Sequence, residues 1–251
     1  MSEILPPALS SNKLLAALPP KEYERLLPKL TQIPLSYAED IYEPGSAIRS
    51  VYFPLSGIVS LLAAVEKNAT LEVGIVGAEG MVGLPVFLGV EASSSQAIVQ
   101  GAGFAMKMKA TDLMIACRRG GALPRLLQRY AHSLLTQVSQ SAVCYRFHLI
   151  ESRLARWLLM MGDRMESDEF RLTQDFLSNI LGVRREAVNR AALALQQKQL
   201  INYRRGVITI VDRAGLEAAA CECYAIIRTE EKSFPIKIEN RPRKIATFKR
   251  K

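Results

Sequence analysis

The sequence predicts an α+β fold with a small antiparallel β-domain, a long helix and a C-terminal winged helix-turn-helix. Between residues 33 and 108, short runs rich in Val, Ile, Tyr and Phe are separated by turn-forming residues. Their spacing of about eight to twelve residues is typical of sandwiches and barrels. Neither proline nor glycine occurs between Pro124 and Gly162, which predicts long helical structure. Residues 172–211 then combine two helical patterns, a glycine turn and a hairpin.

The composition of the 251-residue chain is that of a globular protein, with 49% hydrophobic and 23% charged residues. No apolar run approaches the ~18 residues of a membrane span, and MSEILPPALSSNK lacks the pattern of a secretory signal. We therefore expect no membrane partner and a cytoplasmic location. Residues 164–251 carry +7 of the net charge of +9. This excess indicates an acidic polymer as partner, unless the charge only solubilises the chain.

The N-terminal part begins with residues 12–30, where prolines at Pro19, Pro20 and Pro28 predict short, interrupted helices. The β-domain follows, and Glu43-Pro44-Gly45-Ser46 predicts a tight turn within it.

The long helix carries apolar or small residues at alternating steps of four and three, which is the spacing of a coiled-coil seam. Because the seam is narrow and flanked by glutamines, we expect this helix to pair with a second copy of the chain. The alternative is a long helix that packs only on its own sheet. The predicted seam consists of Ala131, Leu135, Val138, Ala142, Tyr145 and Leu149.

The first helix of the helix-turn-helix is predicted to start after Thr173, whose hydroxyl suits an N-cap, with Gln174 and Asp175 in its first turn. Gly182 permits the sharp turn into the second helix, and Val183 is expected to pack beneath it. The predicted apolar face of the first helix is Phe176, Leu177, Ile180 and Leu181.

The second helix opens with Arg184, and its polar side is predicted to carry Arg185, Glu186, Asn189 and Arg190. Arginine can donate two hydrogen bonds to guanine and glutamate can accept from cytosine, so this face can read a major groove. The alternative is a solvated face with an i,i+4 pair between Glu186 and Arg190. Arg204 and Arg205 in the hairpin favour DNA. The predicted buried side is Ala187, Val188, Ala191, Leu193, Ala194 and Leu195.

The four cysteines are spread along the sequence, and only Cys221 and Cys223 lie close together. We expect them to pack one amphipathic helix after the hairpin, DRAGLEAAACECYAIIR, with a redox switch as the alternative, and we expect no metal site. Residues 229–251 are predicted to form a basic, flexible tail that adds phosphate contacts.

The order of these elements resembles the Crp/Fnr family of bacterial transcription regulators over residues 12–228. GVRREAVNRAALALQQKQLI resembles the family's recognition helix, and EPGSAIRSVYFPLSGIVSL the start of its cyclic-nucleotide-type β-roll. The resemblance implies a β-roll over residues 1–122, a dimerisation helix over 123–147, a DNA-binding domain over 148–228 and the tail over 229–251.

The resemblance also implies a homodimer on an inverted repeat with TGTGA-like half-sites and RNA polymerase as a further partner. By the family pattern R-E-x-x-x-R, base readout is carried by Arg185, Glu186 and Arg190. The residues implied to contact phosphates or support the readout are Thr173, Gln174, Arg184, Asn189, Arg204 and Arg205.

The nucleotide cassette of the family has lost both of its charged anchors in this sequence. Met81 stands where the family has the glutamate for the ribose, and Ser95 stands where it has the arginine for the phosphate. A buried phosphate without a cation keeps its desolvation cost, so cyclic AMP and cyclic GMP are not expected, unless Arg118 or Arg119 reaches the loop. The candidate effector-pocket residues are Gly80, Met81, Gly83, Leu84, Ser95, Gln96 and Ala97.

Three hypotheses on the effector stay open: a less polar molecule, no effector, or a purely structural β-roll. No cofactor is expected. The sequence carries no catalytic constellation, so an enzyme is not expected. The alternative function is a β-roll regulatory or interaction protein that does not bind DNA specifically.

Overall fold

The computed structural model of the chain describes residues 11–66 and 69–233. Two short helices, α1 (Lys13–Ala16) and α2 (Pro20–Leu26), come first, followed by a 3₁₀ turn at Leu27–Lys29. The fully buried amide of Asn12 donates to the carbonyl oxygens of Pro54 and Gly80, both at 2.9 Å. This segment is therefore anchored to the β-domain, and the proline breaks lie where the sequence predicts them.

The β-domain consists of two antiparallel sheets, which confirms the predicted β-roll. One sheet has the strand order β1-β7-β3 and the other has the order β2-β6-β4-β5. A single-turn helix, α3 (Leu84–Phe87), lies between β5 and β6. The strands are β1 (Thr31–Leu35), β2 (Asp40–Tyr42), β3 (Ser50–Pro54), β4 (Ile58–Glu66), β5 (Ala69–Val76), β6 (Ser95–Gly101) and β7 (Gly103–Lys109).

Helices α4 (Ala110–Arg118) and α5 (Ala122–Phe147) follow the β-roll. The carboxylate of Glu22 accepts hydrogen bonds from the backbone N–H of Ala122 at 2.8–2.9 Å and so satisfies free donors at the start of α5. Further along, the amide of Gln137 bonds both the N–H and the carbonyl of Ile75. The contacts of Glu22 fix the start of α5 on α2, and those of Gln137 fix its middle on β5 and leave the opposite face outward.

The C-terminal domain confirms the predicted winged helix-turn-helix and adds one unpredicted strand, β8, which pairs with β10. Its sheet has the order β8-β10-β9. Its core is continuous with Ile58, Leu62 and Ile75 of the β-roll. The elements are α6 (Ile150–Met165), β8 (Glu169–Arg171), α7 (Gln174–Leu181), α8 (Arg185–Gln197), β9 (Ile201–Arg204), β10 (Val207–Ile210), α9 (Arg213–Ala219) and α10 (Cys223–Lys232).

Two expectations about the C-terminal segment are wrong. The single helix predicted after the wing is divided into α9 and α10, because the backbone at Ala220 is extended, with ψ of 156°. Helix α10 continues to Lys232, so residues 229–232 are helical rather than part of a flexible tail. The rest of that prediction, on residues 234–251, lies outside the described residues. No helix in the described ranges is long and apolar enough to cross a membrane.

A buried carboxylate, Glu72, lies where the β-roll meets the C-terminal domain. It accepts hydrogen bonds from the hydroxyl of Ser60 at 2.5 Å and from the indole N–H of Trp157 at 2.7 Å. Burial raises the pKa of Glu72 to about 7, although both hydrogen bonds and the charges of Arg156 and Arg164 act in the opposite direction. The interface therefore contains a group that titrates near neutral pH.

We expect Glu72→Gln to remove a pH dependence of stability. Because the folded-state pKa lies above the ordinary value, the stabilisation from this group is complete below about pH 4.5 and is lost as the pH rises through 7. Between pH 5 and 8 the free energy of unfolding of the wild type should fall by about 2–3 kcal/mol more than that of the variant. Urea titrations across this range measure the difference. The exposed control Glu24→Gln should keep the wild-type slope, and an unchanged slope in Glu72→Gln would contradict the assignment.

Candidate nucleic-acid interface and effector cavity

The start and the end of α7 follow the sequence prediction. The Thr173 hydroxyl accepts a hydrogen bond from the N–H of Phe176 at 3.1 Å, as an N-cap does. Gly182 ends the helix in the left-handed region, with φ of +60°. A Cβ at this position would also lie 2.6 Å from a methyl group of Leu71 in β5. The left-handed conformation of the turn favours glycine, and a Cβ would in addition displace the Leu71 methyl group.

The exposed face of α8 carries the predicted side chains Arg185, Glu186, Asn189 and Arg190, all exposed to solvent. Arg184, at the N-cap position, is exposed as well. The alternative i,i+4 pair between Glu186 and Arg190 is not among the ion pairs of the described residues. Both side chains are therefore available to a partner.

The predicted buried side of α8 is wrong at Leu193, which is 48% exposed. Val188, Ala191 and Leu195 are buried as predicted, Ala192 is buried in place of Leu193, and Ala187 and Ala194 are half-buried. The four buried positions share one side of a helix with 3.6 residues per turn, whereas the residue after Ala192 is rotated about 100° away from it.

A chain of polar contacts joins the first turn of α7 to α8. The Nε of Arg185 donates to Oε1 of Gln174 at 3.1 Å, and Nε2 of Gln174 donates to Oδ1 of Asn189 at 3.1 Å. Arg185 also lies 3.3 Å from a carboxylate oxygen of Asp175, but both side chains are exposed. Such a pair contributes little stability, so Arg185 can leave it to contact a base.

The hairpin of β9 and β10, which is the wing of the winged helix-turn-helix, lies beside α8. Strands β9 and β10 are joined by a two-residue turn in which Arg205 and Gly206 both have positive φ, +52° and +76°, as a type I′ hairpin requires. The hydroxyl of Tyr203 donates to the carbonyl of Leu172 and ties the wing to the start of α7. Arg204 and Arg205 are exposed.

An open groove of about 380 Å³ separates α8 from the wing. It brings together five of the predicted residues, Thr173, Gln174, Arg185, Asn189 and Arg205, and Leu193 also lines it. Arg184, Glu186, Arg190 and Arg204 lie outside its lining. The groove and the neighbouring α8 face thus present arginine donors, a glutamate acceptor and amides, which is the chemistry of base edges and phosphates.

The predicted effector residues divide between a cavity and the core. Met81, Gly83, Leu84 and Ser95 line a cavity of about 150 Å³ beside α3. The expectation that Gln96 and Ala97 line it is wrong. Gln96 donates to the Asp40 carboxylate at 2.6 Å, and Ala97 is buried in the core. Gln96 lies on the opposite face of β6 from Ser95, whereas Ala97 shares the face of Ser95 but is covered by the core.

Gly80 is placed by packing rather than by a ligand. A Cβ there would lie 2.5 Å from the ring and hydroxyl of Tyr130 in α5, so only glycine allows this contact. The Tyr130 hydroxyl donates to the carbonyl of Met81 at 3.1 Å. The backbone of the cassette is therefore held by the long helix.

Among the described residues, none that line the cavity could supply a cation to a phosphate. Its other lining side chains within the described chain are uncharged and mostly apolar: Tyr42, Leu61, Val82, Pro85, Leu88, Ser93 and Leu134. Arg119 lies in a separate cleft with Glu22 and Asp112. Glu79, the acidic residue beside the cassette, pairs with Arg164 at 2.9 Å. Bound there, a cyclic phosphate would lose its solvation without a charged partner.

Three of the six predicted seam residues, Leu135, Ala142 and Leu149, lie on the outer face of α5 or just beyond it. Leu135 is 63% exposed and Leu149, just beyond the helix, is 79% exposed. Ala142 is also exposed. The half-buried Ala131 and Val138 depart from the prediction, because Ala131 packs against the β-roll core and Val138 lies beside Gly74 of β5. Tyr145 departs from the prediction, because its hydroxyl donates to the carbonyl of Glu72 and its ring lies 4.7 Å beneath the guanidinium of Arg153. It packs within its own chain.

Sequence reasoning missed one cluster. Cys144, His148, Cys221 and Cys223 converge where α5 ends and α9 gives way to α10. The hydrogen bond with Cys144 lowers the pKa of Cys221, burial opposes this shift, and the charge of Arg156 adds to it. Two local signals point here: a Cys-x-x-x-His spacing on one helix face and the Cys-x-Cys. Neither signal shows that Cys144 and His148 lie next to Cys221 and Cys223 in the folded chain.

Residues 152–219 match the family model described as a Crp-like helix-turn-helix domain. FixK2 from Bradyrhizobium japonicum is similar in structure, with a TM-score of 0.66 and 17% identity over 76% of this chain and 98% of that chain. The c-di-GMP responsive global regulator CLP of Xanthomonas campestris has a TM-score of 0.62 and 19% identity over 76% and 98%. A CRP/FNR family transcriptional regulator from Thermus thermophilus has a TM-score of 0.61 and 20% identity over the same shares. No curated protein sequence is significantly similar to the chain.

Proposed function

We propose that this chain, a DNA-binding transcription regulator with a Crp-like helix-turn-helix domain and the fold of the Crp/Fnr family, acts as a homodimer on an inverted repeat. The observation that carries the proposal is the exposed polar face of α8 beside the arginine-bearing wing. In this role the protein binds DNA in the cytoplasm and catalyses no reaction. It contacts RNA polymerase when it is bound to DNA.

Within this proposal, Arg185, Glu186 and Arg190 read base edges in TGTGA-like half-sites. Thr173, Gln174 and the wing arginines contact phosphates, which fix the register without carrying sequence information. Arg184 and Asn189 support the readout from the start and the middle of α8. Because Gln174 bonds both Arg185 and Asn189, it connects a phosphate-binding position at the start of α7 to the polar face of α8.

Dimerisation through the outer face of α5 would place two copies of α8 about one helical turn of DNA, roughly 34–36 Å, apart. Leu135 and Ala142 are seven residues apart on this exposed face, as in a coiled-coil seam. The inner face of α5 is already packed on β5, so the two faces have separate roles. The half-site spacing then follows from the two-fold symmetry of the pair.

Leu135→Glu is expected to convert the dimer to a monomer. The substitution would bury two unpaired carboxylates at the seam, which should raise the dimer dissociation constant about 100-fold or more. Sedimentation equilibrium measures this constant. Val143→Glu is the matched control, since Val143 lies on the same helix beside the seam and is also exposed. Equal dissociation of the two variants would contradict this seam.

The cavity in the β-roll supports an effector without a phosphate, or no effector. The neighbour CLP is described as c-di-GMP responsive, but the cavity of this chain has uncharged lining residues within the described ranges and a volume of about 150 Å³. Ligand pockets for drug-sized molecules are typically about 300 Å³ or larger. We propose a small, weakly polar molecule as the ligand, if the cavity binds one.

Selection of bound DNA from a random pool tests the whole proposal. The full chain is incubated with the pool in buffer, with cyclic AMP, and with a small-molecule extract of cells. A TGTGA-like inverted repeat is expected in every arm that binds, with no effect of cyclic AMP. Enrichment that needs the extract identifies an effector. Recovery of no consensus in any arm would favour a β-roll protein that does not bind DNA specifically.

A further inference from the structure

We propose that Cys144, His148, Cys221 and Cys223 form a zinc site that joins the end of the long helix to the C-terminal helices. The three sulfur atoms and a ring nitrogen of His148 all lie within 4.8 Å of one another. Cys144 and Cys223 are fully buried, Cys221 is almost so, and the imidazole is partly exposed. Three thiolates and one imidazole are an established ligand set for structural zinc.

Two of the six separations between the ligand atoms are close to those of a tetrahedron around one ion. The sulfurs of Cys144 and Cys221 are 3.4 Å apart, and the sulfur of Cys223 is 3.5 Å from Nδ1 of His148. Zinc–sulfur bonds of about 2.3 Å and zinc–nitrogen bonds of about 2.0 Å place ligand atoms about 3.5–3.8 Å apart. The widest pair, at most 4.8 Å, closes by about 1 Å through side-chain rotation.

The histidine is oriented as a metal ligand. Nδ1 faces the cysteines, whereas Nε2 lies 3.1 Å from the carboxylate of Glu222. A carboxylate that accepts the proton of one ring nitrogen leaves the lone pair of the other free for a metal and fixes the ring. Glu222 is itself 70% exposed, so the carboxylate contributes orientation without being buried.

The charge of the surroundings favours a negative centre. Arg156 is buried and acts electrostatically on all three thiols. Its Nε has no hydrogen-bond partner among the described residues, and Nη1 lies 3.6 Å from the sulfur of Met160. Zinc with three thiolates and one neutral imidazole carries a net charge of −1, which compensates a buried guanidinium.

A disulfide between Cys144 and Cys221 explains fewer of these observations. It would involve two of the four side chains and leave the contacts of Cys223 and His148 without a role. It would also remove thiolate charge beside Arg156. The cluster connects two segments far apart in sequence, and α10 packs along α5 beyond it. The zinc ion would hold the DNA-binding domain to the long helix at this junction.

Metal analysis of the purified full chain tests the site without reference to DNA binding. We expect about one zinc per chain after reconstitution with Zn²⁺ under reducing conditions, and less than about 0.2 in Cys223→Ser. Cys117→Ser is the matched control, because Cys117 lies outside the cluster, and it should retain wild-type zinc. Wild-type protein that holds less than about 0.2 zinc, or equal loss in both variants, would overturn the proposal.

Two further measurements decide the question if Cys223→Ser fails to fold. X-ray absorption of the zinc-loaded wild type should give three sulfurs at about 2.3 Å and one nitrogen at about 2.0 Å. A shell without sulfur refutes the site. Glu222→Ala changes only an exposed side chain and should lower zinc affinity about 10- to 100-fold. Unchanged affinity would refute the role of the carboxylate and the histidine orientation derived from it.

Discussion

Arg190→Ala is expected to weaken binding to the selected inverted repeat by about 2–6 kcal/mol, since each bidentate arginine–guanine pair contributes about 1–3 kcal/mol and a dimer has two. This corresponds to a fall in affinity of roughly 30-fold to 10⁴-fold. Arg190 is exposed on α8, and no ion pair of the described residues holds it, so the loss reports DNA contacts rather than a damaged fold. Fluorescence anisotropy at constant salt measures the affinity.

Two comparison variants separate base readout from general charge. Arg205→Ala in the wing should weaken binding to the repeat and to scrambled DNA about equally, and reduce the salt slope by about one unit per subunit. Arg49→Ala removes an exposed arginine from the β-roll and should change neither. If Arg190→Ala also weakened both DNAs equally, its assignment to base readout would be wrong.

Arg164→Ala is expected to cause the largest loss of stability. The side chain is 3% exposed and pairs with Glu79 at 2.9 Å and with Glu231, while its Nη1 donates to the carbonyl of Met160. Removal of this cation leaves two mostly buried carboxylates without a positively charged partner, which should lower the free energy of unfolding by about 3–5 kcal/mol. For a domain of this size the thermal midpoint should fall by about 6–20 °C. Differential scanning calorimetry measures the shift.

The buried triad of Arg164, Glu79 and Glu231 is expected to contribute more to the free energy of unfolding than the exposed ion pairs of the same protein. Lys29→Ala removes a partner of Asp112 from a pair in which the lysine is 55% exposed, and should cost less than about 1 kcal/mol. Arg164→Met combined with Glu79→Gln and Glu231→Gln leaves no stranded charge, and should recover much of the loss. Equal effects of Arg164→Ala and Lys29→Ala would show that the triad contributes no more than a surface pair.

Arg164 also connects separate parts of the fold. Glu79 directly precedes the glycine of the cassette, Arg164 lies in α6, and Glu231 lies in α10. One side chain therefore connects the cassette of the β-roll to two helices of the C-terminal domain. Any movement of the cassette would act on these helices through the same ion pairs.

The sequence determined the features that depend on neighbours along the chain. The cap at Thr173, the glycine turn at Gly182 and the hairpin at Arg205 are local, because their hydrogen bonds and dihedral angles involve residues a few positions apart. That Met81 and Ser95 are uncharged is also plain from the sequence, although only the resemblance to the Crp/Fnr cassette implies that charged anchors stood at these positions.

Contacts between side chains that are distant in sequence depend on the tertiary structure. Cys144 and Cys221 are 77 positions apart, and Arg164 and Glu231 are 67 apart; periodicity gives no information at that range. The same limit explains why the sequence predicts Tyr145 in the seam. Its spacing along the helix suits the seam, but its hydroxyl bonds to the carbonyl of Glu72, which is distant in sequence. A helical pattern shows that α5 has two faces, but the packing of β5 against Gln137 selects which of them is covered.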